Sequence, residues 1–81
     1  MKPAYTERQG QYLAYIHQYS LLHGLPPAEA ELQEFFRVTP PTVHQMILLL
    51  ERRGFIRRIP YRARSISVLV SSASLPPLRR P

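Results

Sequence analysis

The chain has 81 residues, a formal net charge of +6 and no cysteine. This length supports one small domain, whose core contributes about 3 to 5 kcal/mol, so dimerisation would add useful stability. The absence of cysteine excludes a disulfide framework and a thiolate zinc site. The longest apolar run, Met46 to Leu50, is far too short to span a bilayer, and no signal peptide precedes the first predicted helix. We therefore predict a cytoplasmic protein.

The charge is distributed unevenly along the chain. From Arg52 onward there are eight arginines and no acidic residue, whereas Glu29, Glu31 and Glu34 cluster in the middle. This asymmetry favours a polyanionic partner that contacts one face of the domain. The alternative is a solvated basic surface without a partner.

The first predicted helix begins after Thr6. Thr6 and Gln9 have the spacing of a capping box, and Glu7 places a negative charge in the first turn. The apolar pattern continues up to Gly24, while Gly10 costs about 1 kcal/mol inside the helix unless packing offsets it. The residues that form the apolar face are Tyr12, Leu13, Ile16 and Tyr19.

A second helix is predicted from residue 28 to about residue 36. Pro26 and Pro27 hold the preceding backbone in an extended conformation, and Ala28 offers no side-chain cap. We expect the glutamates of this helix to face away from any phosphate backbone. Only residues 37–38 separate it from the next helix, so the two form a helix-turn-helix.

The third predicted helix runs from Pro40 to about Arg53. Thr39 precedes it and is expected to cap it through the hydroxyl, Pro40 suits the first helical position, and Gly54 supplies a stop. Apolar residues at offsets of 0, 3, 4 and 7 share one face of this helix and predict a core contact. They are Val43, Met46, Ile47 and Leu50.

The first turn of this helix leaves Pro41, Thr42, His44 and Gln45 away from the core face. These are small or hydrogen-bonding residues at the end of a helix that carries its positive dipole. The pattern is typical of a recognition helix that enters a DNA groove.

The periodicity changes after Gly54. Residues 55–59 and 65–70 alternate as two strands of a hairpin would, with residues 60–64 as the connection. A hairpin directly after a recognition helix is a wing, and its arginines Arg62 and Arg64 could reach sugar-phosphate or the minor groove. The alternative for both arginines is ordinary solvated loop charge.

The tail, residues 71–81, is rich in serine and proline and contains one arginine pair. Such a composition predicts a flexible or polyproline-like extension. We therefore divide the chain into a domain of residues 1–70 and a tail of residues 71–81.

Five segments of the sequence occur in a fixed order with short spacing. They are TERQ at 6–9, HGLPP at 23–27, P-x-T-V-H at 40–44, LERRGFIRR at 50–58 and RAR-x-I at 62–66. In this ordered set the sequence resembles the DNA-binding domain of the LexA repressor family. The resemblance implies a mainly α fold with a small β-hairpin, a three-helix winged helix-turn-helix that binds operator DNA as a dimer and represses transcription. It also implies association with the bacterial nucleoid.

The resemblance also implies roles for single residues. Arg64 matches the wing arginine of the family, and Arg52 and Arg53 match a basic pair at the end of the recognition helix. The positions that approach bases and adjacent phosphates are matched by Thr39, Pro41, Thr42, His44 and Gln45.

Three departures from the family pattern stand out. No peptidase domain with its serine-lysine dyad is present, and the only lysine is Lys2, so self-cleavage cannot be assumed. Phe36 stands where the family usually has a glycine, so a positive φ there would be strained. Pro41 removes an amide and a side-chain donor at a recognition position.

The sequence thus predicts a sequence-specific binder of double-stranded DNA, a LexA-like repressor or regulator without self-cleavage activity. The expected operator is an inverted repeat bound by a weak or DNA-dependent homodimer. Thr42 and Gln45 would read bases, and Arg37 would join the other arginines at phosphates. A single-stranded nucleic acid or RNA partner remains open.

The alternative is a winged-helix module for protein interaction or oligomerisation. Leu48 and Leu49 extend the apolar stripe of the third helix beyond what one core face needs. They either pack within the domain or form a dimer interface. An enzyme is not expected, because His17, His23 and His44 lack carboxylates at dyad or ligand spacing, and no cofactor is expected.

Overall fold

The structure is a computed structural model that describes residues 4–81, so Lys2 lies outside the described residues. The helices are α1 (Glu7–His23), α2 (Glu29–Phe36) and α3 (Pro40–Arg52). Strands β1 (Ile56–Arg57) and β2 (Ser67–Val68) pair in antiparallel fashion, and a short 3-10 helix (Ser72–Ser74) follows. This mainly helical arrangement with one small hairpin confirms the predicted winged helix-turn-helix. Within residues 4–81, no helix combines the length and the apolar character needed to cross a membrane.

Helix α1 begins and ends as the sequence predicts. The amide of Gln9 donates to Thr6 Oγ1 at 3.2 Å, and the Thr6 amide donates to Gln9 Oε1 at 2.9 Å, which completes the capping box. Gly24 ends the helix with a φ of 73°, and its amide donates to the Ser20 carbonyl at 2.9 Å. Inside the helix, Gly10 has a packing reason: a Cβ there would lie 2.8 Å from Tyr5 Cε1.

One hydrophobic core joins the three helices to the hairpin. Tyr12 of α1 stacks on Phe36 of α2, with ring centroids 4.2 Å apart and planes 2° from parallel. Full burial of each aliphatic core side chain stabilises the fold by about 1.5 to 3 kcal/mol. The other core residues are Leu13, Ile16, Leu32, Val43, Ile47, Leu50, Ile56 and Ile66.

The turn between α2 and α3 does use a positive φ, but one residue later than Phe36. Arg37 has a φ of 55°, and its amide donates to the Gln33 carbonyl. A non-glycine residue in this left-handed region carries a strain of order 1 to 3 kcal/mol. The strain therefore falls on exposed Arg37, which leaves Phe36 free to enter the core.

Helix α3 starts at Pro40 as predicted, but the expected cap by Thr39 is wrong. The Thr39 hydroxyl lies 2.9 Å from the hydroxyl of Thr42 and bonds to no backbone amide at the helix start. Pro41 removes the amide of the second helical position, and the Thr39 hydroxyl contacts the Thr42 side chain instead of the Thr42 amide. The helix ends at Arg52, followed by Gly54 with a φ of 78°.

The strands are shorter than the alternation predicts. Only two residue pairs form the ladder, Ile56 with Val68 and Arg57 with Ser67. Residues 58–66, here called the wing loop, are held instead by the Ser65 hydroxyl, which accepts from the Ile59 amide at 3.0 Å. A side chain therefore replaces the cross-strand bonds that a longer hairpin would have.

Candidate nucleic-acid interface

The start of α3 presents a continuous polar surface to solvent. The core side of the helix is fixed by Val43 and Ile47, both fully buried. The structure brings the five predicted recognition residues together on the opposite side of the first two turns, and all are exposed. They are Thr39, Pro41, Thr42, His44 and Gln45.

The backbone at this helix start offers few donors. An α-helix normally leaves its first four amides unpaired, but two of these positions here are Pro40 and Pro41, which have no amide hydrogen. The usual attraction of a helix N-terminus for phosphate is therefore weakened here. Side chains therefore supply most of the hydrogen-bonding groups at this surface.

His44 is paired across the helix-turn-helix. Its Nδ1 lies 3.2 Å and 3.3 Å from the two carboxylate oxygens of Glu29, the first residue of α2. A carboxylate in this position favours the tautomer with hydrogen on Nδ1, which leaves Nε2 as an acceptor in the neutral ring. The histidine is half exposed, and Nε2 makes no hydrogen bond within residues 4–81.

Arg64 of the wing loop is tied to the helices. Its Nη1 lies 2.6 Å from Glu31 Oε1, 3.1 Å from the Tyr19 hydroxyl and 3.4 Å from the Pro26 carbonyl. Tyr19 in turn donates to Glu31 at 3.1 Å. Burial acts to raise the pKa of Glu31, but the hydrogen bonds from the Ala28 amide, Tyr19 and Arg64 outweigh it, so the pKa lies below its ordinary value.

Two of the α2 glutamates, which were expected to face away from any phosphate backbone, contact residues predicted to bind DNA. Glu29 contacts His44 and Glu31 contacts Arg64. The cause is local geometry, because the first turn of α2 lies beside both α3 and the wing loop. A phosphate at Arg64 Nη1 would compete with Glu31, whereas Glu29 occupies only Nδ1 of His44.

The family comparison bears directly on this surface. The family model of the LexA DNA binding domain matches residues 1–65 of this sequence, which include all three helices and most of the wing loop. The chain belongs to the LexA DNA-binding domain family. It is therefore a sequence-specific DNA-binding domain of the kind found in regulators.

The remaining predicted arginines of this LexA-type domain occupy different places. Arg37 and Arg62 are exposed near the start of α3 and on the wing loop, and no carboxylate within residues 4–81 pairs with either. Arg52 and Arg53 lie about 15 Å along the α3 axis from Thr42, at the opposite end of the helix. The structure thus does not bring this pair to the polar start of α3.

The two candidate interface leucines differ in exposure. Leu48 is 38% exposed, whereas Leu49 is only partly accessible. Larger apolar exposure occurs at the end of α1, where Leu21 and Leu22 are 71% and 73% exposed. The sequence analysis did not predict this exposed apolar surface. Two adjacent leucines beyond the Ile16 face of α1 could have indicated it.

Proposed function

We propose that this LexA-type domain serves a transcriptional repressor that binds operator DNA through the start of α3 in the major groove. The observation that carries the proposal is the cluster of exposed recognition residues, which a fully buried face of the same helix holds in place. The family membership supports duplex DNA as the partner. Repression would follow from occupying a promoter site.

Base reading is assigned to three side chains. Gln45 suits adenine through a bidentate amide contact, which is worth about 1 to 3 kcal/mol of discrimination. Thr42 shares a hydroxyl contact of 2.9 Å with Thr39, so one of the two hydroxyls can donate outward while the other accepts. Neutral His44 would accept at Nε2 from an amino group of adenine or cytosine.

Phosphate binding is assigned to the wing and its neighbours. Arg62 and Arg37 are exposed and need to break no ion pair, whereas Arg64 must leave Glu31. Contacts of this kind fix the position of the protein on DNA without reading sequence. Arg52 and Arg53 would reach phosphates only where the backbone passes the far end of α3.

The proposed operator is an inverted repeat occupied by a homodimer that forms on DNA. Two-fold symmetry of the protein pair would be mirrored in the two half-sites. Because Lys2 is the only lysine in this sequence, the proposed mechanism uses no serine-lysine self-cleavage within these residues.

The test is selection from a random duplex library, followed by titration of the selected duplex and a scrambled duplex at two salt concentrations. We expect a palindromic motif and a specificity ratio of about 10³ or more. Weak binding to all duplexes that disappears as salt rises would contradict sequence-specific repression. Equal binding to single strands would favour the single-stranded alternative.

A second candidate is a protein-interaction role, which the exposure of Leu48 and of the Leu21–Leu22 pair favours. Leu48→Glu and Leu22→Glu would each be compared with the wild type by sedimentation without DNA. Loss of a dimer in one variant, with its helical content unchanged, would support this role. An unchanged monomer in all three proteins would remove it.

A further inference from the structure

The tail lies along α1, and one buried side chain holds it. Gln11 is only 8% exposed, and its Nε2 donates to the Pro77 carbonyl at 3.0 Å while its Oε1 accepts from the Arg79 amide at 2.8 Å. Both polar atoms of the amide are thus satisfied by the backbone of the tail. The tail thus both covers this amide and supplies its hydrogen-bond partners.

Other contacts match the tail to the same face of α1. A Cβ at Gly10 would lie 3.1 Å from Pro76 Cγ, so the missing side chain makes room for the proline. The Tyr5 hydroxyl donates to the Ser74 carbonyl, and Leu75 packs against the core. Consecutive prolines also restrict the free tail, which lowers the entropy lost on docking.

Docking carries Arg79 and Arg80 to a cleft that already contains Arg8. The Arg8 guanidinium carbon lies 5.1 Å from the centroid of the Phe36 ring and 5.5 Å from that of Tyr12, so cation–π contacts orient it. The cleft has a volume of about 430 Å³ and is lined by three arginines and one carboxylate side chain. Its lining residues are Glu7, Arg8, Gln11, Phe36, Arg79, Arg80 and Pro81.

The one carboxylate side chain of this cleft does not neutralise its three arginines. Glu7 pairs with Arg79, but their side chains are 80% and 65% exposed, and ion pairs so exposed to solvent are weak and exchange readily. Arg8 and Arg80 have no carboxylate partner within residues 4–81. A phosphate can therefore replace Glu7 at little cost.

The cleft is lined by the last residue of α2, the helix that leads into the start of α3. Phe36, which lines it, is three residues before Thr39, so their Cα atoms lie within about 11 Å even if the chain is fully extended. Exposed Arg37 is between the two. Duplex DNA carries one phosphate charge per about 1.7 Å of axis, so a contact at Thr39 leaves several phosphates within reach of the cleft.

We propose that Arg8, Arg79 and Arg80 form a second phosphate-binding site, which the docked tail completes and which takes DNA phosphates flanking the bases contacted by α3. This inference rests on the proposed function, because α3 must first place the duplex. Gln11 is a positioning residue in this site, since it holds the backbone that carries Arg79 and Arg80.

The experiment compares three variants on two duplexes. One duplex is the wild type's selected sequence with long flanks, and the other ends at the selected motif; scrambled duplexes of both lengths accompany them. The variants are Arg79→Ala with Arg80→Ala, Gln11→Ala, and the matched control Gln18→Ala, whose exposed side chain on α1 makes no hydrogen bond to the tail.

The double arginine variant should bind the long duplex about tenfold more weakly at low salt, with a salt slope smaller by about two. Gln11→Ala should show a similar loss although it keeps both arginines, and Gln18→Ala should bind like the wild type. On the short duplex all four proteins should bind equally. Thermal unfolding of each variant shows whether it is folded at the titration temperature.

Two outcomes would overturn the site. One is unchanged binding of the double arginine variant to the long duplex. The other is that the double arginine variant loses the same affinity on both duplex lengths while Gln11→Ala binds like the wild type. That result would indicate a basic tail that binds DNA without docking on α1. Failure of the proposed function has a different signature, because the wild type itself would then not distinguish selected from scrambled DNA.

Discussion

Glu29 and His44 face each other between the first turns of α2 and α3, with His44 Nδ1 3.2 Å from the nearer carboxylate oxygen. The pair joins the two helices of the helix-turn-helix at their solvent side. It also places a negative charge beside the residues proposed to meet DNA. Two opposite effects on binding follow, since the carboxylate orients the imidazole and repels phosphate.

Replacing Glu29 by Gln and by Ala should separate these effects. Both changes remove the charge and should raise affinity for all duplexes by a few-fold at low salt, since one unit of repulsion near the phosphates is removed. Base preference at the single position contacted by His44 should fall only in Glu29→Ala, because the amide oxygen of glutamine can still accept from Nδ1 and hold the ring in one tautomer. Selection and titration measure both, and Glu34→Ala, on the same helix without an ion pair among the described residues, is the matched control. Identical preferences in Glu29→Ala and the wild type would contradict the orienting role.

Gln45→Ala and Arg62→Ala should affect DNA binding differently, the first in sequence preference and the second in overall affinity. Gln45→Ala should lower affinity for the selected duplex by about 1 to 3 kcal/mol and leave scrambled DNA unaffected, because it removes a base contact. Arg62→Ala should weaken binding to every sequence and reduce the salt slope by about one, because it removes a phosphate contact. Titrations of both duplexes at several salt concentrations provide the comparison. A uniform loss in Gln45→Ala would exclude base reading by that side chain.

The hydrogen bonds that the Glu31 carboxylate accepts should contribute a pH-dependent part of stability. The bonds from the Ala28 amide, Tyr19 and Arg64 lower the pKa of Glu31 in the folded domain from its ordinary value of 4.5. They therefore stabilise the fold above that value, and the contribution is lost as pH falls through the lower folded pKa. Urea unfolding from pH 7 downward should show a smaller acid-dependent loss in Glu31→Gln than in the wild type, whereas Glu34→Gln should follow the wild type. The same slope in all three would mean that these hydrogen bonds are not formed in solution.

Gly10→Ala should destabilise the domain although alanine favours helix by about 1 kcal/mol. The new Cβ would lie 2.8 Å from Tyr5 Cε1, and overpacking of this kind costs about 1 to 3 kcal/mol. The control is the same change in a Tyr5→Ala background, where the clash with the ring is absent and the substitution should cost less. Thermal or urea unfolding of the four proteins completes the cycle. Equal effects of Gly10→Ala in both backgrounds would contradict the packing argument.

The features that were predictable from the sequence are local ones. Helix ends were predictable because capping and helix-breaking residues act through the neighbouring backbone. The residues that mark them are Thr6 with Gln9, Gly24, Pro40 and Gly54. The core face of α3 was predictable for the same reason, since its period needs no knowledge of the partner. Arg37 was not, because nothing in the segment Phe36–Arg37 indicates which residue takes the positive φ.

The features that the sequence could not show depend on contacts between distant residues. The amide of Gln11 meets the tail 66 and 68 residues later, and no local pattern reports such a pairing. The pairs of Glu29 with His44 and of Glu31 with Arg64 also join distant residues. They place carboxylates beside two side chains that were predicted to bind DNA. The site is therefore predictable as a set of side chains but not as a set of partners.

The consecutive prolines at the start of α3 also affect the thermodynamics of association. Two neighbouring residues with fixed φ leave the first turn little freedom to lose when it meets a duplex. Domains that complete a recognition helix only on binding show large heat-capacity changes beyond those expected from the surface they bury. Here calorimetry should find a heat-capacity change on DNA binding that the buried interface alone accounts for. The start of α3 would then be fully folded before it meets the duplex.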